Sequence, residues 1–404
     1  MTGQAAYRGW MAFLIALMGL GFAAWLHQLN NGLTVTGMNN VVSWGLYIIA
    51  FMYFVGLSAG GLIVVAGAQL AGTEQFRPLS RLAVVLSGAA IVVAALFVLP
   101  DLGHPERVYR IVISGQFYSP LVWDVIVIVA FLAIAGVDLW LLTRPRVRES
   151  AVTVMAIVSL PVAILLASVD AWIFGLLVAR PFWNSPLLAP MFISSALVSG
   201  MGLLLVVTVV LRKLNVLKVE QGVVESVGKL MVWFIAIDLF LLFAEVLTAI
   251  ASNVPDHRDQ TMLLLSGKLA PFFWPEVILG GLVPFVILAL PQTRRKNGLL
   301  GLAGALAVGG ILLKRLNIMM ASMSLPLIEL APGQSFGRYV EPGERFWLRL
   351  GEYTPTWVEW SIAAGIVAFG ALLVTLGVRY LVTRPLPAPA IEPAASGAAT
   401  MPAR

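Results

Sequence analysis

Seven carboxylic acids lie inside otherwise apolar stretches of this chain: Asp124, Asp138, Asp170, Asp238, Glu245, Glu276 and Glu359. Two basic residues, Lys314 and Arg315, do the same. An ionisable side chain in hydrocarbon costs several kcal/mol unless it faces protein or water, so a set of this size implies a polar route, a ligand site, or both. Carboxyls spaced with waters between them suit proton transfer, because a buried carboxyl can hold or release a proton near neutral pH. Asp138, Asp170, Asp238 and Glu245, with Asp101 and Asp124, are the candidate proton-transfer residues. Glu276 and Glu359 stand near helix starts, where capping the helix or bonding to a neighbouring Trp, Ser or Asn side chain is an equally good explanation.

A second set of reactive types gathers at the ends of the early apolar runs. Trp44, Tyr47 and Tyr53 belong to one run, followed by the small residues Gly56, Ser58, Ala59, Gly60 and Gly61, which allow another helix to approach closely. The turn Asp101–Arg107 reads DLGHPER, and Ser119, Pro120, Trp123 and Asp124 open the next run. Trp and Tyr here would also fit an interfacial belt. Belt residues do not, however, come with Asp, His and Glu packed around them. Trp44, Tyr47, Tyr53, His104, Trp123 and Asp124 are candidates for a lipid-soluble head group with two carbonyls. Such a ligand needs a donor on each oxygen, an apolar slot, and an acid or imidazole to exchange protons.

The elements that must hold these residues are membrane helices. The chain has 404 residues, a mean hydropathy of +0.93, 60% hydrophobic and 11% charged residues, which fits one multi-spanning bundle and not a soluble domain. Apolar runs long enough to cross ~30 Å of hydrocarbon fall at about 9–27, 43–71, 83–100, 120–142, 151–177, 190–211, 229–252, 272–290, 298–320 and 356–380. The fold expected is all-α and polytopic, with about ten transmembrane helices in a single integral domain over 1–383. The short charged turn Gln292–Asn297 makes the eighth and ninth spans a hairpin. Residues 384–404, rich in Pro and Ala, are expected to be a disordered tail.

Charge assigns the two faces. The amino terminus, 72–82, 143–150, 211–229, 291–297 and the tail sum to +11, whereas 28–42, 101–119, 179–189, 253–271 and 314–355 sum to +2 when Lys314 and Arg315 are counted there. By the positive-inside rule both termini are cytoplasmic. The long connections, above all 321–355, then lie outside, where a docking surface for a partner explains their length and aromatic content. Span direction also gives depth. Asp124 is shallow on the outer side, Asp138 about 21 Å deeper on the same helix, Asp170 near the outside, Asp238 mid-membrane, and Glu245 outward of it on the same helical face. They form a ladder in the order Asp138, Asp238, Glu245, then Asp170, Asp124 and Glu276.

Other chemistry is excluded or disfavoured. There is no cysteine, so the chain holds no disulfide, thiolate metal site or iron–sulfur cluster. His27, His104 and His257 fall near helix ends or in loops, so no facing imidazole pair and no haem are expected, and no other metal site. The pI of 9.7 reflects short basic loops and not nucleic-acid binding. No cleavable signal peptide is expected, since the first apolar run leads directly into further spans.

Ser43–Gly61, DLGHPER and the SPLVWD stretch at Ser119–Asp124 together resemble the NrfD/PsrC family of membrane quinone-interacting subunits. Ten spans, KRLNIMM at Lys314–Met320 and YTPTWVEW at Tyr353–Trp360 look most like its long branch. That branch includes the membrane subunits of periplasm-facing hydrogenases and the DsrP-type subunit of sulfur metabolism. The resemblance covers about residues 40 to 375. It implies two four-helix bundles, over 43–177 and 190–320, with additional helices outside them, in a bacterial cytoplasmic (inner) membrane. It further implies a haem-free subunit, not active alone. Such a subunit passes electrons between an exchangeable menaquinone or ubiquinone and a periplasmic ferredoxin-like iron–sulfur subunit. That partner serves a molybdenum enzyme, a hydrogenase or a cytochrome module. In contrast to some shorter members, the second span offers Tyr47, Phe51 and Tyr53 and no imidazole, so His104 or Asp124 must serve the head group. A secondary transporter or an inert membrane anchor would share the glycine-rich helices and buried acids. Uptake by the isolated chain in proteoliposomes separates a transporter from the quinone reading, which requires a partner.

Overall fold

The computed structural model describes residues 2–39, 41–73, 76–144, 149–252, 254–324 and 353–383. Ten helices among them are long and apolar enough to cross a membrane. They are α1 (Gln4–Val35), α2 (Leu46–Leu70), α3 (Pro78–Asp101), α4 (Pro120–Thr143), α5 (Ser150–Gly175), α6 (Leu188–Lys213), α7 (Gln221–Ala251), α8 (Ala270–Ala289), α9 (Asn297–Met323) and α10 (Trp357–Val382). Helices are what such runs must form, because in hydrocarbon each backbone N–H and C=O needs an internal partner. The chain is thus an all-α polytopic membrane protein. The expected docking segment 321–355 and the tail fall largely outside the described residues.

α2 is the packing centre, with 89% of its most apolar stretch buried against 17% for α1. It packs on α3, α5 and α6, while α4 lies against α3 and α5. α6 carries the chain across to α7 and α9, and α8 packs on α9 and α7. The hairpin expected at Gln292–Asn297 is present, its turn formed by a short helix Pro291–Arg294. α1 and α10 pair with each other, and α10 rests on α3. Several helix crossings require glycine, and two of them lie among the central helices. A Cβ on Gly200 of α6 would collide with the backbone of Gly60 and Gly61 on α2, and Gly280 of α8 meets the backbone of Gly310 on α9. Small residues at such crossings are how membrane helices reach close contact. Gly200→Leu should therefore cost more than the usual ~1–3 kcal/mol of overpacking, because backbone cannot step aside. The check is the yield and thermal unfolding temperature of the subunit in detergent.

Two local features carry the site. After Pro275, which brings no N–H to the helix ladder, α8 runs as a π-helix over Glu276–Leu282 before resuming at Val283. At the start of α10, Thr356 and Glu359 form a reciprocal capping box, and Glu359 also accepts from the Gly37 N–H at 2.7 Å and from the Tyr353 hydroxyl. Glu359 is therefore a helix cap that ties α10 to the end of α1. Glu276, buried inside the π segment, is not a cap.

The fold corrects one part of the charge assignment. Lys314 and Arg315 do not belong to an outer segment: α9 continues to Met323 and buries both, at 1% and 0% exposure. Their positive charge stays among the acids, and the long-loop side of the count falls to zero.

Candidate functional site

The face bearing the long loops holds the aromatic candidates, in separate surroundings. Tyr47 is fully buried and donates to Gln28 Oε1 of α1 at 2.6 Å, and Gln28 Nε2 donates to the Pro100 carbonyl of α3 at 2.6 Å. The next residue, Asp101, has Oδ1 buried and unbonded, as is Trp25 Nε1 on α1. Trp25 and Pro100 border an apolar groove of about 480 Å³ between α1, α3 and α10, whose floor includes Gly21 and Gly365. Along α1 it extends from Ile15 to Trp25, ~15 Å at 1.5 Å per residue.

Trp44 belongs to a different cluster. Its indole stacks on Trp183 at 6.1 Å and meets Phe174 edge-on at 5.6 Å. The Trp183 indole N–H donates to the Ile318 carbonyl at 2.8 Å, and Arg180 donates to the Ser322 carbonyl at 2.7 Å. The connection after α5 is thereby fastened to the end of α9. Tyr53 is buried one and a half turns below Tyr47, edge-on to Phe54. Trp123 Nε1 donates to the Phe117 carbonyl. His104 is exposed at the surface and pairs with Glu106 at 2.9 Å. The backbone N–H of Glu106 itself, then His104, hold that carboxylate below the usual range. His104 and Asp124 are thus not brought together: one faces solvent, the other is buried in α4.

The interior acids separate into clusters, and the two basic residues organise them. Lys314 Nζ donates to Asp238 Oδ1 at 2.7 Å, and Ser194 of α6 donates to the same oxygen at 2.8 Å. Asn317, one turn along α9, donates to Glu276 Oε2 at 2.7 Å. Glu276 is in electrostatic reach of Lys314, Asp238 and Arg315. It stands with Asp238, not at the end of a single ladder beside Asp124. A cavity of about 30 Å³, enough for a water molecule, touches Lys314, Asn317, Glu276 and Glu245. Beyond it Glu245 accepts from Ser185 at 2.6 Å and lies 3.7 Å from His257 Nε2.

On the α2 side, Asp170 of α5 is fully buried with neither carboxylate oxygen bonded, and Asp124 has Oδ1 unbonded. Asp170 feels the charges of Asp124 and Arg315. Asp138, at the opposite end of α4, accepts from Ser159 at 2.8 Å. The sequence has no cysteine, and among the described residues no group of three or more His, Asp or Glu is placed to hold a metal ion.

The sequence that folds this way has known relatives. The family described as "Polysulphide reductase, NrfD" matches residues 34–326, from before α2 to the end of α9. The chain belongs to the NrfD/PsrC family of polytopic, quinone-interacting membrane subunits. Among NrfD relatives, a putative dimethyl sulfoxide reductase membrane subunit from Halobacterium salinarum is 39% identical over 93% of this chain and 91% of its own length. A selenate reductase subunit from Mesobacillus selenatarsenatis is 26% identical over 87% and 88%. The menaquinone reductase integral membrane subunit of Nitratidesulfovibrio vulgaris is 25% identical over 92% and 90%. As an NrfD protein the chain is a multi-pass inner-membrane subunit of a respiratory oxidoreductase system linked to quinone chemistry.

The sequence pattern does not point to Gln28, His257, Ser194, Ser195 or Asn317 as site residues, and Lys314 and Arg315, though inside the ninth apolar run, enter the charge sum with the outer segment. The doubled KR inside an apolar run was the available signal for the last two. Nothing in the pattern singles out Gln28 or His257, whose partners are distant in sequence.

Proposed function

We propose that this subunit exchanges electrons between the quinone pool and an iron–sulfur partner docked on its long-loop face, and that its buried acids carry protons. Family membership supports the quinone, and the relative named for menaquinone favours that type as substrate. The observation that carries the reading is the groove between α1, α3 and α10. It is apolar along its length and is bordered at one end by Trp25 and Pro100; the Pro100 carbonyl is bonded to Gln28, which holds Tyr47, and Asp101 follows Pro100 in the chain. An isoprenoid tail fits the groove, and a ring with two carbonyl or hydroxyl groups suits the polar end. In this reading Asp101 exchanges the quinone's protons, while Trp44, Tyr53 and Trp123 frame the face and His104 lies where a partner would cover it.

In this reading electrons enter or leave through the partner, the sequence offering no cysteine for an iron–sulfur cluster. Relatives named as reductase subunits support a further catalytic subunit, a molybdenum enzyme or its equivalent, beyond that partner. Helix packing supports α2–α5 and α6–α9 as two four-helix bundles, with α1 and α10 outside. The charge contrast, sharpened once Lys314 and Arg315 move inside, supports cytoplasmic termini.

The test is the purified complex reconstituted in proteoliposomes. It should oxidise or reduce a short-chain menaquinone analogue and build a membrane potential; a complex that turns over without the quinone analogue overturns the reading. Asp124→Asn keeps size and hydrogen bonding while removing a titratable group. It should slow quinone turnover about tenfold or more with assembly intact. Unchanged turnover removes Asp124 from the proton route.

A further inference from the structure

Arg315 makes too few bonds for a fully buried guanidinium. From α9 it crosses α6 to lie beside Gly56 of α2. On the way Nη2 donates to Ser195 Oγ at 2.8 Å, and the guanidinium carbon stands 3.7 Å from the centre of the Phe192 ring. Nε and Nη1 are buried with no partner. On α5, both oxygens of Asp170 are equally buried and equally unbonded, as is Oδ1 of Asp124 on α4. Three charged groups on three helices therefore present five unbonded polar atoms in a region closed to solvent. No Arg315–Asp170 or Arg315–Asp124 contact falls within ion-pair distance among the described residues, yet Asp170 is in electrostatic reach of both. Buried polar atoms are almost always bonded, to protein or to ordered water. Donors on one side and acceptors on the other, outside direct ion-pair distance, call for a bridging group, and water can both accept from the guanidinium and donate to the carboxylates.

Lys314 and Arg315 are neighbours in sequence but serve opposite sides of α6. Lys314 bonds Asp238, one carbon stem from the cavity that reaches Glu276 and Glu245. Arg315 extends toward Asp170, while remaining in electrostatic reach of Asp238 and Glu276. Their side chains leave the helix about 100° apart, so one turn of α9 touches both acid clusters.

We propose that Asp170, Asp124 and Arg315 enclose a buried hydrated site, and that Arg315 is the positioning residue coupling it to the Lys314–Asp238–Glu276 cluster. This rests on the reading that the buried acids carry protons. A proton passes through the bound water between Asp124 and Asp170, neutralising the carboxylate it reaches. Arg315 stays protonated throughout. When Asp170 is neutral, the guanidinium draws more on Asp238 and Glu276, which together with Lys314 favours their ionised forms. When Asp170 is ionised again, that hold relaxes and the second cluster can accept a proton. The two clusters then load in alternation and are joined by one side chain, with no continuous row of carboxyls between them.

The test uses the whole complex in proteoliposomes with Asp170→Asn, Arg315→Gln, the double variant and Arg315→Lys. Each single neutralisation strands the other charge, so assembled complex should fall about tenfold or more, and the double should recover most of it. The double variant should still turn over quinone but separate at most half the wild-type charge per electron. Arg315→Lys keeps the charge and loses the fork; it should assemble and retain coupling better than Arg315→Gln. A double variant that assembles no better than the worse single overturns the pair, and one with the wild-type charge-to-electron ratio overturns the coupling role. A wild-type complex that turns over quinone without building potential instead overturns the proton reading on which this proposal rests.

Discussion

Lys314→Met is expected to destabilise the folded subunit by about 3–5 kcal/mol, the loss typical of stranding one half of a buried ion pair. The ammonium is 1% exposed, and its 2.7 Å bond to Asp238 is the nearest charge compensation that carboxylate has. Ser194 would still donate to Asp238, but a hydroxyl does not balance a charge. Asp238→Asn should cost less, because Glu276 remains in electrostatic reach of the ammonium. The asymmetry is measurable as a larger drop in unfolding temperature and membrane yield for Lys314→Met than for Asp238→Asn. Glu245→Gln should leave the fold intact, since an amide oxygen can still accept from Ser185. Its effect, like that of Asp238→Asn, should appear in function: in reconstituted complex the membrane potential is lost or turnover slows. Two amide variants with the wild-type charge-to-electron ratio would make these acids structural.

All ten helices were legible in the sequence because hydrocarbon enforces a simple rule: an apolar run of sufficient length must satisfy its own backbone. The acids were legible for the complementary reason, as charges where charge is costly. What could not be read was rotation. A helix apolar on every side carries little periodic signal of which face meets which neighbour, so Asp238 and Glu276 could be given a height but not a partner. Arg315 and Lys314 stand inside the ninth apolar run in the sequence, but so close to its end that their charge was added to the outer segment; three more residues of helix, Ala321 to Met323, put them well inside. Glu359 was the opposite case. Thr356-x-x-Glu359 is the spacing of a capping box, and the structure bears out the helix-start alternative for it. Glu276 answers to the other half of that alternative: Pro275 and the π segment bury it, and it accepts from a neighbouring side chain, Asn317.

Asp101→Asn is expected to lower quinone turnover by about 10²-fold or more, within the range for losing a general acid–base group. The residue ends α3 beside Pro100, whose carbonyl is already committed to Gln28, and Gln28 in turn holds the Tyr47 hydroxyl. Those three groups are therefore mutually bonded, whereas Asp101 Oδ1, one residue past the groove residue Pro100, and Nε1 of the groove residue Trp25 are buried without a partner. A quinone oxygen can accept from the indole, and a quinol hydroxyl can donate to the carboxylate. The amide keeps the shape of the site and one acceptor oxygen but cannot take the proton, so KM for a short-chain analogue should stay within a few-fold while kcat falls. Trp25→Phe makes the reverse change. It retains most of the ring that borders the groove and deletes one neutral hydrogen bond, worth about 0.5–1.5 kcal/mol, so KM should rise roughly two- to tenfold with kcat little affected. The opposed responses distinguish a proton-exchanging acid from a binding contact on the same ligand. If neither variant changes kcat or KM, the ring does not bind at this end of the groove, and Asp124 in the interior becomes the acid to test against it.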